Sequence, residues 1–186
     1  MVRNGRLSIL AFVFLTASVV ATTRFPASAA TGSEISRDAS AALSTLYRSQ
    51  PAAKALGQRA KGILVFPHML KAGFMFGGQI GEGALMKRGK TVGYYNSVAA
   101  SYGLQAGAQK FGYALFFMND AALKQLDATK GFEVGVGPSI VVLDSGAAKS
   151  FTSNTATSDV YAFIFSQKGL MAGLGIQGSK ITKISK

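Results

Sequence analysis

Cysteine is absent from this chain, and histidine occurs once among its 186 residues. Without cysteine no disulfide can form, so the packed core alone has to stabilise the fold. The single histidine, His68, lies in an apolar stretch and has no thiolate or clustered carboxylate as a co-ligand. We therefore expect a structural role for His68, no zinc or iron site and no cofactor.

Acidic residues are also scarce, with 8 Asp and Glu against 20 Lys and Arg. The acids show no paired spacing of the kind used in acid–base catalysis, and the chain contains no nucleophile elbow. Residues 173–178 match the pattern G-x-G-x-x-G, but the eight residues that follow are too few for the crossover helix and second strand of a dinucleotide site. The sequence therefore predicts a protein that is not an enzyme.

The first 29 residues have the features of a signal peptide. Arg3 and Arg6 form a basic start, residues 7–21 are apolar, and Ala27-Ser28-Ala29 is an A-x-A cleavage site. The apolar run is shorter than the roughly 18–20 residues that a spanning helix needs. We expect residues 30–186 to form a single exported domain that is periplasmic or secreted.

The chain is strongly basic. Its formal net charge is +12, and loss of Arg3, Arg6 and Arg24 with the leader would leave +9. Such an excess attracts anionic surfaces. Nucleic acid is not the expected partner, because the protein is predicted to be exported and its basic residues are scattered. The aromatic residues that alternate in two predicted strands indicate a packed face rather than a base-stacking surface.

The pattern of the chain changes from helical to β near residue 63. Residues 31–34 fit a capping box before an apolar stripe of helical spacing, and Pro51 suits the start of a second helix closed by Gly62. Lys87-Arg88-Gly89-Lys90 predicts a hairpin tip, and Asn119-Asp120 predicts the cap of a third helix that ends at Gly131. Glycines within the predicted strands indicate strong curvature. The predicted class is α+β, with two N-terminal helices, a curved or barrel-like antiparallel sheet and one further helix between strands.

Several ordered blocks resemble one family. These blocks are GILVFP (residues 62–67), KAGF (71–74), GG-x-x-G-x-G (77–83), GFEVGVGPS (131–139) and the stretch 160–179. Together they resemble the SYLF domain, a lipid-binding module, over nearly all of the chain after the leader. The resemblance implies a non-catalytic domain that is peripherally associated with membranes and contacts lipid through its N-terminal amphipathic region and adjacent basic residues.

On this basis, the basic residues beside the second helix, the first strand and the hairpin tip are the candidate contacts for anionic phospholipid head groups: Lys54, Arg59, Lys61, Lys71, Lys87, Arg88 and Lys90. Each lysine or arginine near an anionic membrane contributes about 1 kcal/mol. Two alternatives stay open. One is a carrier that holds an apolar ligand inside a small β-barrel, and the other is a structural envelope protein that acts through a protein partner.

We predict cleavage between Ala29 and Ala30, give or take one residue, because the A-x-A motif precedes that bond. Intact-mass analysis of protein isolated from the cell envelope measures the new N-terminus. A species that still carries residues 1–21 would show that the apolar segment is a membrane anchor.

Overall fold

The computed structural model describes residues 30–127, 131–133, 140–143, 157–169 and 178–186, apart from the side chains of residues 74–76 and 101–106. The predicted signal peptide and most of the glycine motif at residues 173–178 lie outside the described residues.

Two helices begin the fold where the sequence predicts them. α1 (Gly32–Ser49) starts with the predicted capping box, in which the Thr31 hydroxyl accepts from the Glu34 amide at 3.3 Å and the Glu34 carboxylate accepts from the Thr31 amide at 2.8 Å. α2 (Pro51–Arg59) has Pro51 in its first turn. The predicted end of α2 at Gly62 was too late, because the Lys61 amide already bonds the Phe117 carbonyl and Gly62 begins a strand.

One long β-hairpin forms most of the sheet. β1 (Gly62–Lys87) and β2 (Lys90–Phe117) have 26 and 28 residues, so the short strands predicted here are continuous. The predicted hairpin tip is confirmed. Arg88 and Gly89 both have positive φ, 49° and 76°, as the two central residues of a tight type I′ turn require.

The long hairpin bends back so that the two halves of β1 face one another. A Cβ added at Gly83 would lie 2.5 Å from the Val65 carbonyl oxygen and 2.7 Å from the Phe66 ring, and one added at Gly81 would overlap the Met69 side chain. Only glycine permits this approach of backbone to backbone. In β1 the register shifts between Phe66 and Met69 and again between Phe74 and Phe76. Such bulges increase strand curvature.

The remaining elements complete a curved sheet. α3 (Asp120–Gln125) is capped by Asn119, whose side chain accepts from the Ala122 amide at 2.8 Å. α3 is shorter than predicted, because the chain turns at Leu126 and Asp127 rather than continuing toward Gly131. The other strands are β3 (Phe132–Glu133), β4 (Ile140–Leu143), β5 (Val160–Gly169) and β6 (Lys180–Ile184).

The strand order is β3-β6-β2-β5-β4, with β1 paired to β2. The pairs are antiparallel except β4 with β5, which is parallel. The parallel pair was not predicted from the sequence. The chain between Leu143 and Val160 is long enough for the crossover that parallel neighbours need. The predicted α+β class with a curved sheet is confirmed.

The sheet has an apolar core on each face. The outer core lies under α1 and α2 and includes Leu46, Leu56, Val65, Phe116 and Phe163. The inner core fills the concave side and is closed by α3. Aromatic rings dominate it, with Phe66 stacked on Tyr113 at 5.9 Å and Phe117 edge-on to Phe132 at 5.8 Å between ring centroids.

Substitution of Gly83 by alanine should lower the free energy of unfolding by at least about 2 kcal/mol, because the added methyl group would overlap the backbone of Val65. The matched control is Gly78→Ala in the same strand, where the nearest atom to the new Cβ is 3.8 Å away. We expect the control to change stability by less than about 1 kcal/mol. Urea unfolding of both variants measures this, and equal stabilities would contradict the proposed close approach.

Candidate functional site

Six of the seven basic residues predicted from the sequence are exposed. Lys54 and Arg59 lie on α2, Lys61 lies immediately before β1, and Lys87, Arg88 and Lys90 surround the hairpin turn. We call these six residues the basic end.

The basic end consists of three residues on or after α2 and three residues at the hairpin turn. Buried contacts place these two groups at the same end of the fold. A Cβ at Gly62 would lie 3.3 Å from Leu85 of β1 and 3.0 Å from Leu123 of α3. The first residues of β1 are therefore beside its last residues. Lys61 and Lys87 consequently lie at the same end of the folded hairpin, although 26 positions separate them in the sequence.

One acidic residue near this end is already engaged. The Asp127 carboxylate accepts from the Tyr95 hydroxyl at 2.9 Å and pairs with Lys183 at 3.0 Å. The hydrogen bonds from Lys183 and Tyr95 lower the pKa of Asp127, and the nearby charge of Lys87 acts in the same direction. Asp127 therefore offsets part of the positive charge without removing the excess of lysine and arginine at the turn.

Lys71 is placed differently from the other predicted contacts. It is 3% exposed and lies opposite Gln109 in the register of β1 and β2. Burial lowers its pKa. The bulge after Phe66 puts Met69 on the inner face, and strand alternation then directs Lys71 to that face as well. Lys71 is thus in the interior of the sheet rather than on the surface with the basic end.

A second feature is a groove of about 480 Å³ between α1 and the sheet. Ala41 and Ala42 of α1 line one side, and Leu70 and Phe165 of the sheet contribute apolar surface. Two lysines border the groove, Lys110 on β2 and Lys168 on β5. No local sequence pattern indicated this pair, because only the register of β2 with β5 brings the two residues together.

The chain is similar to a known family and to a yeast protein. Residues 98–186 match the family model described as "Ysc84: Las17-binding protein actin regulator". Protein YSC84 of Saccharomyces cerevisiae is 28% identical over 131 residues, which cover 67% of this chain. The predicted SYLF resemblance is confirmed. The matched region of the yeast protein is 28% of its length.

The SYLF family match covers β5, β6 and the second part of β2, including Lys110 and Lys168 of the groove. It begins after α1, α2, β1 and the hairpin turn, so the basic end lies outside the residues that the family model matches. Among the described residues, no helix has the length and apolar character needed to cross a membrane.

His68 lies at the rim of the groove. Its side chain is 78% exposed, and its Nε2 atom is 3.4 Å from the Asp38 carboxylate. Asp38 also pairs with Arg37 at 3.0 Å, and the hydrogen bond from Arg37 is the main cause of the lowered pKa of Asp38. Within the described parts of the chain, no three His, Asp or Glu side chains are grouped so that they could hold a metal ion.

The substitution His68→Ala should lower the free energy of unfolding by less than about 1 kcal/mol, because an exposed ion pair contributes little. Binding to anionic vesicles should be unchanged. Thermal unfolding and vesicle co-sedimentation measure the two effects. Loss of a bound metal or of a measurable turnover on this substitution would contradict the structural role assigned to His68.

Proposed function

We propose that this protein is an exported, non-catalytic SYLF domain that binds anionic phospholipid head groups through the basic end. The observation that carries the proposal is the contact of Gly62 with Leu85, which supports a position of Lys61 at the same end of the folded hairpin as the basic turn. Exposed lysine and arginine side chains on one surface add their attractions to an anionic membrane, about 1 kcal/mol for each residue.

The proposed binding is peripheral. Val92, two residues after Lys90, is exposed at 51% and adds apolar surface close to the turn. An apolar side chain that enters the interface strengthens membrane attachment that is otherwise electrostatic. We therefore expect reversible binding that is weakened by salt, with the protein at the periplasmic or outer surface of a membrane.

A protein partner is the second candidate. The description of the matched family names an actin regulator that binds Las17, so at least one relative is described by its protein contact. In an exported protein the corresponding partner would be an envelope protein with an acidic surface, since the basic end attracts negative charge of either kind.

The packing of the interior favours surface binding over an internal carrier. Phe66, Tyr113, Phe117 and Phe132 fill the end of the concave side that α3 closes. A ligand held there would have to displace aromatic side chains that are packed against each other, at a cost of several kcal/mol.

Reversal of charge at the hairpin turn (Lys87→Glu, Arg88→Glu, Lys90→Glu) should weaken partitioning onto anionic vesicles by more than about a hundredfold, because three attractions become repulsions. Reversal beside α2 (Lys54→Glu, Arg59→Glu, Lys61→Glu) should have an effect at least as large. Co-sedimentation with phosphatidylglycerol vesicles at low salt measures both. Raising salt toward 1 M should weaken binding of the unsubstituted protein, because the Debye length falls to about 3 Å.

The control is a triple reversal outside the basic end that makes the same change of net charge: Arg37→Glu, Arg48→Glu and Lys180→Glu. This variant should bind vesicles much more strongly than either of the other two, and all three should melt near the same temperature. Equal binding by the basic-end variants and the unsubstituted protein would refute the membrane function. Capture of an acidic envelope protein without vesicle binding would instead favour the second candidate.

A further inference from the structure

Lys110 and Lys168 are an unusual pair. They are directly opposite each other in the antiparallel register of β2 and β5, where neighbouring Cα atoms are about 4.5–5.5 Å apart. Like charges in this position are destabilising. No acidic side chain forms an ion pair with either lysine among the described residues. An anion bound between the two ammonium groups would relieve their repulsion.

The backbone beside this pair is irregular. The register of β2 with β5 shifts between Lys110 and Gly112, and Ser166 has a φ of 53° that is uncommon for a residue other than glycine. A Cβ at Gly112 would lie 2.5 Å from the Phe165 ring, so this ring lies directly over the Gly112 backbone. The bulge therefore places the Phe165 ring, which is only 3% exposed and shows a small apolar edge to the groove, beside two lysines, and bulges often redirect side chains at binding sites.

The groove continues from the lysines along an apolar surface. Ala41 and Ala42 line it from α1, and Leu70, which is 40% exposed, lines it from β1. Its volume of about 480 Å³ falls within the range of small-molecule sites. Asp38 is at the rim, but its charge is engaged by Arg37 and faces His68. The groove thus combines a cationic edge with apolar walls.

We propose that this groove binds a long-chain carboxylate, with the acyl chain against Phe165, Leu70 and the α1 alanines and the carboxylate between Lys110 and Lys168. A carboxylate has two acceptor oxygens, one for each ammonium group, and such charge-assisted hydrogen bonds are strong. The site does not depend on the proposed membrane function, because neither lysine belongs to the basic end.

Calorimetric titration of the purified protein with dodecanoate tests the site. The unsubstituted protein should bind dodecanoate, and it should bind acetate and dodecanol at least about tenfold more weakly, because each lacks one of the two recognition elements. Lys110→Gln with Lys168→Gln should weaken dodecanoate binding at least tenfold. Ala41→Phe places a ring in the groove. It should weaken dodecanoate binding because the ring displaces the acyl chain, while the two lysines that contact the carboxylate are unchanged.

The matched control is Lys124→Gln with Lys180→Gln, which removes the same charge from exposed positions outside the groove and should retain full affinity. Circular dichroism should show that both lysine variants are folded, with Lys110→Gln/Lys168→Gln melting no lower than the control because it removes a repulsion. Undiminished binding in Lys110→Gln/Lys168→Gln, or equal losses in the control, would overturn the proposal.

Tighter binding of dodecyl phosphate than of dodecanoate would overturn the choice of a carboxylate. Vesicle co-sedimentation of the same variants should be unaffected, which separates this result from the membrane test.

Discussion

The return of β1 onto itself is the constraint on which the rest of the fold depends. At Gly81 and Gly83 the strand lies against the backbone of its own first half, around Val65 and Met69. A side chain at either position would separate the two halves. Their approach encloses the aromatic inner core on one side and leaves the other face to α1 and α2. It also brings Gly62 next to Leu85, so Lys61 and the hairpin turn lie at the same end of the fold.

The two ends of the bent hairpin differ in the quality of their packing. The end closed by α3 contains stacked and edge-on aromatic rings. Among these rings the Tyr113 hydroxyl is buried without a hydrogen-bond partner in the described structure, and farther along the inner face the same holds for side-chain atoms of Gln79, Ser97 and Gln109, near the buried Lys71. Each such atom costs about 1–3 kcal/mol. More of these atoms lie near Lys71 than among the rings, so we expect local opening to begin near Lys71.

Patterns among neighbouring residues predicted the helices and the hairpin turn. The position of Lys71 and the groove depend on contacts between distant residues, and these could not be predicted from the sequence. The capping box at Thr31, Pro51 at the start of α2 and the basic turn at Arg88 and Gly89 involve neighbouring residues, so their patterns are visible in the sequence. The interior position of Lys71 depends on a bulge that changes which face each residue occupies, and period-two alternation cannot locate a bulge in advance. The groove was missed for a related reason, because Lys110 and Lys168 meet only through strand pairing and neither belongs to a recognisable motif.

The two proposed sites use positive charge in physically different ways. At the basic end six exposed side chains attract any dense array of negative charge, so their effects add and salt screens them. In the groove two lysines are held opposite each other by sheet register, next to apolar walls that exclude part of the solvent. A single anion can contact both, and its affinity depends on geometry more than on the net charge of the protein. A protein with both features can remain at a membrane surface while it holds one amphiphile, because neither site uses the residues of the other.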